Sequence, residues 1–114
     1  MPAHLVLCTC PNTEVAHTLA RTLVDERLAA CVNVVPAVQS VYRWQGAVQV
    51  DDEVLLLIKT VSAQLKSLQE RIQSLHPYEL PEVVAVDIDS GLPAYLDWLA
   101  RETAPDTHPS REKS

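Results

Sequence analysis

The sequence predicts an α+β sandwich, in which a four-stranded antiparallel sheet carries two amphipathic helices on one face and a short further helix follows at the C-terminal end. Three observations lead there. Strand-like apolar runs alternate with stretches whose apolar residues recur every three or four positions. The second and third strand runs meet at a glycine turn with no helix between them. The chain has 114 residues, of which 47 % are hydrophobic, enough for a single core.

Residues 5–10 are apolar and rich in strand formers, and the run stops at Pro11-Asn12-Thr13, where Asn12 or Thr13 caps a helix with Glu14 in its first turn. Over residues 15–28, Val15, Ala16, Leu19, Ala20, Leu23, Val24 and Leu28 form one apolar stripe, the mark of a core helix. A long hairpin follows, made of residues 30–44, interrupted at Pro36, and residues 47–60. Gly46 supplies the positive φ of its tight turn. The outer part of the hairpin alternates apolar and polar residues, whereas Val54-Leu55-Leu56-Leu57-Ile58 is apolar on both faces and reads as a central strand. Asp51-Asp52 breaks the alternation between these parts, which predicts a bulge or bend there.

Leu65, Leu68, Ile72 and Leu75 mark the inner face of a second helix over residues 62–75, closed by His76-Pro77 because the residue before a proline avoids helical dihedrals. Residues 82–89 read as a fourth strand, and Gly91 precedes a short helix over residues 93–101. The domain is expected to span residues 1–102, with residues 103–114, which include Pro105 and Pro109, as a disordered tail. The order βαββαβ with right-handed crossovers is the ferredoxin-like arrangement.

Composition narrows the function. With 9 Lys and Arg against 15 Asp and Glu, the formal charge of −6 repels a phosphate backbone, so nucleic acid is not an expected partner. Only two glycines, Gly46 and Gly91, leave no material for a glycine-rich phosphate loop. No apolar run approaches the roughly 20 residues of a membrane-spanning helix. The N-terminal residues enter a strand without a basic region and cleavage site, and the three cysteines are an odd number, so a cytoplasmic protein with reduced thiols is expected.

Several strings resemble the CutA, or divalent-cation tolerance, family. They are Val6-Leu7-Cys8-Thr9-Cys10-Pro11, Glu26-Arg27-Leu28-Ala29-Ala30-Cys31-Val32-Asn33, Val41-Tyr42-Arg43-Trp44-Gln45-Gly46, His76-Pro77-Tyr78-Glu79-Leu80-Pro81-Glu82 and Tyr95-Leu96-Asp97-Trp98-Leu99. The resemblance implies a stable homotrimer of ferredoxin-like subunits whose hairpins pair with neighbouring subunits, associated with tolerance of copper and other divalent cations. It also implies copper ligands matching Cys8 and His76; no cofactor is expected to be obligatory, and Cu²⁺ or another divalent cation is the candidate ligand. Trimers of similar architecture that sense small ligands supply the alternative function, an anionic molecule held between subunits.

The residues themselves support these expectations unevenly. Cys8 and Cys10, two apart on a strand, face the same side and present two soft ligands, although buried cysteines commonly serve as packing. The resemblance carries Cys8 to a copper site and does not carry Cys10. His76, Tyr78, Glu79 and Glu82 crowd one loop, so His76, Glu79 and Glu82 join Cys8 as candidate metal ligands. Tyr42 and Trp44 share one face of the hairpin; with Lys59 and Tyr78 they are the candidates for the ligand cleft between subunits. No nucleophile with an adjacent base is readable, so no catalytic residue is assigned and the protein is expected not to be an enzyme.

Overall fold

The chain reverses direction wherever local chemistry denies it a further turn or a further ladder bond. The computed structural model describes residues 2–105. Its elements are β1 (Ala3–Cys10), α1 (Thr13–Asp25), β2 (Cys31–Trp44), β3 (Ala47–Val61), α2 (Ser62–Leu75), β4 (Val84–Ile88) and α3 (Pro93–Glu102). The sheet order is β2-β3-β1-β4 with every neighbouring pair antiparallel, the expected ferredoxin-like topology.

Asn12 caps α1 by accepting from the Val15 amide at 2.9 Å. The helix ends at Asp25, three residues before the end of the apolar stripe, because Arg27 takes a left-handed φ of 61° that no helix continues through. Leu28 and Ala29 then return their amides to the Leu23 carbonyl. A two-pronged ion pair, with Arg71 Nε donating to Glu26 at 2.9 Å and Nη2 at 2.8 Å, ties α2 to the end of α1.

Alternation in β1 and β3 sorts the sheet into two faces. Val6, Cys8 and Cys10, with Val54, Leu56 and Ile58, point toward α1 and α2 and pack with Leu19, Leu23, Leu68 and Ile72 in the main core. Ala3 and Val61 point the other way, where α3 covers them with Leu99 in a second cluster. The rest of that outer face is apolar and incompletely covered within one chain: Leu5, Leu7, Leu55 and Leu57 are half-buried, and Val84 and Val86 are each 50 % exposed.

The hairpin closes through Gln45 and Gly46, both at positive φ (51° and 82°), the mirror-image turn whose twist matches the strands. The expected bulge lies elsewhere. Asp51 and Asp52 pair in register with Ser40 and Gln39, while the irregularity falls on β2, where Pro36 and Ala37 together oppose Val54. Proline has no amide to donate to the ladder, and Ala37 adopts φ 63° to rejoin it. The longest axis of the chain is 51 Å, close to the roughly 50 Å that a 15-residue strand spans. None of the described helices is long and apolar enough to cross a membrane.

The expected tail beginning at residue 103 needs one correction. Thr103 is buried, its hydroxyl donates to the Leu99 carbonyl at 2.9 Å, and its own carbonyl accepts from Gln64 Nε2 at 2.8 Å, so it belongs to the domain. Most of the tail, residues 106–114, lies outside the described residues.

Ala37→Gly tests the bulge. Left-handed backbone costs an L-residue about 1 kcal/mol that glycine avoids. The variant is therefore expected to hold or raise the denaturant midpoint, against the loss usual for Ala→Gly in regular structure. A clear drop would contradict the conformation assigned to Ala37.

Candidate metal centre

The sheet register places both thiols. Cys8 stands opposite Leu56 and Cys10 opposite Val54, and both side chains are fully buried on the helix side of β1. The histidine arrives from the far end of α2. Pro77 stops that helix, so His76 leaves in extended geometry (φ −74°, ψ 137°) while its amide still closes the last turn on the Ile72 carbonyl at 2.8 Å. Its imidazole turns in toward the end of β1 and is buried, only 7 % exposed.

Both ring nitrogens of His76 are engaged by backbone. Nε2 lies 2.7 Å from the Thr9 carbonyl, and Nδ1 lies 3.1 Å from the Tyr78 amide nitrogen. A carbonyl only accepts and an amide N–H only donates, so the ring is the neutral tautomer with its proton on Nε2. Tyr78 also stacks at a tilt on the ring, centroids 4.7 Å apart, and its hydroxyl donates to the buried Glu53 carboxylate at 2.6 Å.

One ligand atom from each of Cys8, Cys10 and His76 lies within 4.8 Å of the others. The donors are two sulfurs and an imidazole, which suits a soft or borderline metal ion. The imidazole joins such a site only by giving up a backbone partner, whereas the thiols are free of competing strong bonds: apart from its interaction with Cys10, Cys8 Sγ makes a long contact of 3.8 Å to the Thr9 carbonyl. The two thiols also tune each other. Hydrogen bonding to Cys10, then burial and the negative charges of Glu82 and Glu53, push the Cys8 thiol well above its ordinary range. The same interaction draws the Cys10 thiol below its ordinary value.

The other expected residues fall apart from this cluster. Glu79 and Glu82 are exposed on the loop after α2 and neither is among the clustered donors, although the charge of Glu82 is felt at Cys8. Tyr42 bonds the Asp51 carboxylate near the hairpin tip, Trp44 borders the turn, and Lys59 bonds Asn33. Lys59 lies ten residues along β3 from Gln49, the partner of Tyr42, or roughly 33 Å at strand rise, so a single chain does not bring the two together. Cys10 is the member of the cluster that the resemblance left out; its spacing from Cys8 was the available signal.

Elsewhere, His4 bridges three elements, with Nε2 at 2.7 Å from Ser62 Oγ and Nδ1 at 3.1 Å from Asp87. The Asp87 side chain is 87 % exposed, so water competes for it, and the contact is best understood as a tie between β1, β4 and the start of α2.

Fold and cluster together define a ferredoxin-like domain with two thiols and an imidazole gathered at one end of its first strand. The sequence profile described as CutA1 divalent ion tolerance protein matches residues 4–102, and the chain belongs to that family. The divalent-cation tolerance protein CutA of Thermus thermophilus is 54 % identical over 99 residues, covering 87 % of this chain and 96 % of its own length. Protein CutA of Mus musculus is 47 % identical over 95 residues, 83 % of this chain but 54 % of the mouse protein, so the chain spans about half of that relative. Among solved structures, CutA1 from Oryza sativa superposes with a TM-score of 0.90 at 44 % identity, covering 93 % of this chain and 97 % of that one.

The Tyr78–Glu53 bond predicts a pH signature. Burial, then the bond to Glu53, raises the phenol above its usual value near 10, so the neutral form is favoured in the folded state. That contribution is complete below pH 10 and is lost as pH rises further. Tyr78→Phe is expected to cost about 1–3 kcal/mol at neutral pH, since it leaves a buried carboxylate without its donor, and the gap to the parent should narrow above about pH 10. A gap independent of pH would contradict the assignment.

Proposed function

We propose that this protein is a cytoplasmic homotrimer that binds copper or another divalent cation at Cys8 and His76, giving tolerance of the metal without catalysing a reaction. The observation that carries this reading is the burial of Cys8 and His76 within one cluster, although 68 positions separate them in the chain. Imidazole is a ligand that copper accepts readily, and Cu²⁺ is the strongest binder of its divalent series. In this reading Glu79 or Glu82 completes the coordination by movement of the loop after α2. Three free cysteines, Cys8, Cys10 and Cys31, fit a reducing compartment.

The trimer is proposed from surface that one chain leaves uncovered. Val41, Val48 and Val50 on the hairpin are 68 %, 63 % and 59 % exposed, and the outer face of the sheet adds Val84 and Val86. Apolar area of this kind and a long protruding ladder are covered when copies associate. Light scattering after size exclusion is expected to give three chains at micromolar concentration; a monomer would contradict the proposal.

Calorimetry with Cu²⁺ tests the metal. His76→Ala should lower the affinity about tenfold or more while the oligomer persists, Cu²⁺ displacing Ni²⁺ and Co²⁺ from the parent. Unchanged affinity would remove His76 from the site.

A further inference from the structure

We infer that Cys8 and Cys10 together form a site for Cu(I), a soft monovalent cation, with Cys10 as an equal ligand and His76 as the residue that positions the strand segment between them. The inference rests on the metal-binding reading above and changes its terms: which oxidation state is bound, and by which pair.

The geometry makes the thiols the available donors. They are two apart on one strand, point to one side, and are both fully buried. His76 has no lone pair to spare, because its Nδ1 accepts from the Tyr78 amide and its Nε2–H donates to the carbonyl of Thr9, the residue between the two cysteines. That second bond fixes the Thr9 peptide and hence the strand conformation that keeps both sulfurs on one side.

Coordination preference then selects the ion. Metal–sulfur bonds of about 2.3 Å set two sulfurs up to about 4.6 Å apart across a two-coordinate ion and about 4 Å apart in a trigonal one. The donor atoms lie within 4.8 Å of one another, so the two sulfurs are close enough for such open, low-coordinate arrangements. Zn²⁺ would need the imidazole as a third protein ligand with a water as the fourth, and Cu²⁺ a tetragonal set of nitrogen and oxygen donors; the imidazole is held by backbone and the exposed Glu79 and Glu82 are not among the clustered donors. Two buried thiols in the same apolar cluster as Val6, Val54, Leu56 and Leu68 suit Cu(I).

Charge balances simply. Cu(I) binding to the two neutral thiols releases both protons and leaves one net negative charge on the bis-thiolate unit, and no electron transfer is required.

The test is titration of the full chain with Cu(I), kept reduced under anaerobic conditions, against a colorimetric Cu(I) chelator. The parent is expected to take one Cu(I) per chain. Cys10→Ala and Cys8→Ala should each weaken it about tenfold or more, and Cys31→Ser should leave it unchanged. Circular dichroism checks that each variant is folded, and Cys10→Ser supplies a second, polar replacement should the alanine variant lose structure. A parent that takes up no Cu(I), or a folded Cys10→Ala that binds as tightly as the parent, overturns the inference. His76→Ala separates it from the divalent reading: loss of Cu²⁺ affinity with Cu(I) affinity weakened less than in Cys10→Ala supports the thiol pair as the ligands and His76 as their positioning residue. Cu(I) affinity that depends on His76 and Cys8 but not on Cys10 returns the site to the imidazole.

Discussion

The antiparallel ladder between β1 and β3 is the constraint on which the remainder depends. It pairs eight residues of β1, from Ala3 opposite Val61 to Cys10 opposite Val54, in the middle of the sheet. Its register decides which residues of both strands meet α1 and α2. A slip of one residue would turn Cys8 and Cys10 to the outer face and bring Thr9 and Leu7 inward. The main core resists that slip, because Val6 would leave it with the thiols and lose its packing against Leu56 and Ile58. Burial of the cysteines is thus a by-product of packing that would exist without them, and the chemistry rests on a rigid support.

The second support is local. Pro77 ends α2, and the extended His76 that results spends both ring nitrogens on main-chain groups of two different segments, Thr9 and Tyr78. Tyr78 continues the connection to Glu53 on β3. A buried carboxylate, phenol and imidazole are thereby each satisfied, which limits the cost of placing them beside an apolar core. The same bonds mean that recruiting His76 to a metal disturbs the loop after α2, whereas recruiting the thiols does not.

Much of the fold was legible because the periods are clean. The stripe from Ala16 to Leu23, the two-sided apolar strand at residues 54–58 and the Gln45-Gly46 turn each state one conformation. The misreadings have physical causes. Asp51-Asp52 looked like a break in pattern, yet exposed carboxylates sit comfortably on an outer ladder, and the missing amide of Pro36 forced the bulge on the opposite strand. Thr103 carries no apolar signal, and its burial depends on a partner, Gln64, far away in sequence.

The thiol–imidazole cluster was legible by two routes. Cys8 with Cys10 followed from strand alternation, whereas Cys8 with His76 came only from the family resemblance, because the fold alone brings those distant positions together. Nearness in sequence misled for Glu79 and Glu82, since the loop after α2 exposes both. The central claim is that the two buried sulfurs at the end of β1 hold the metal ion. X-ray absorption at the copper edge of the reduced, copper-loaded protein tests it most directly. The account predicts a Cu(I) edge with two sulfur scatterers in the first shell; a shell of oxygen and nitrogen alone would contradict it.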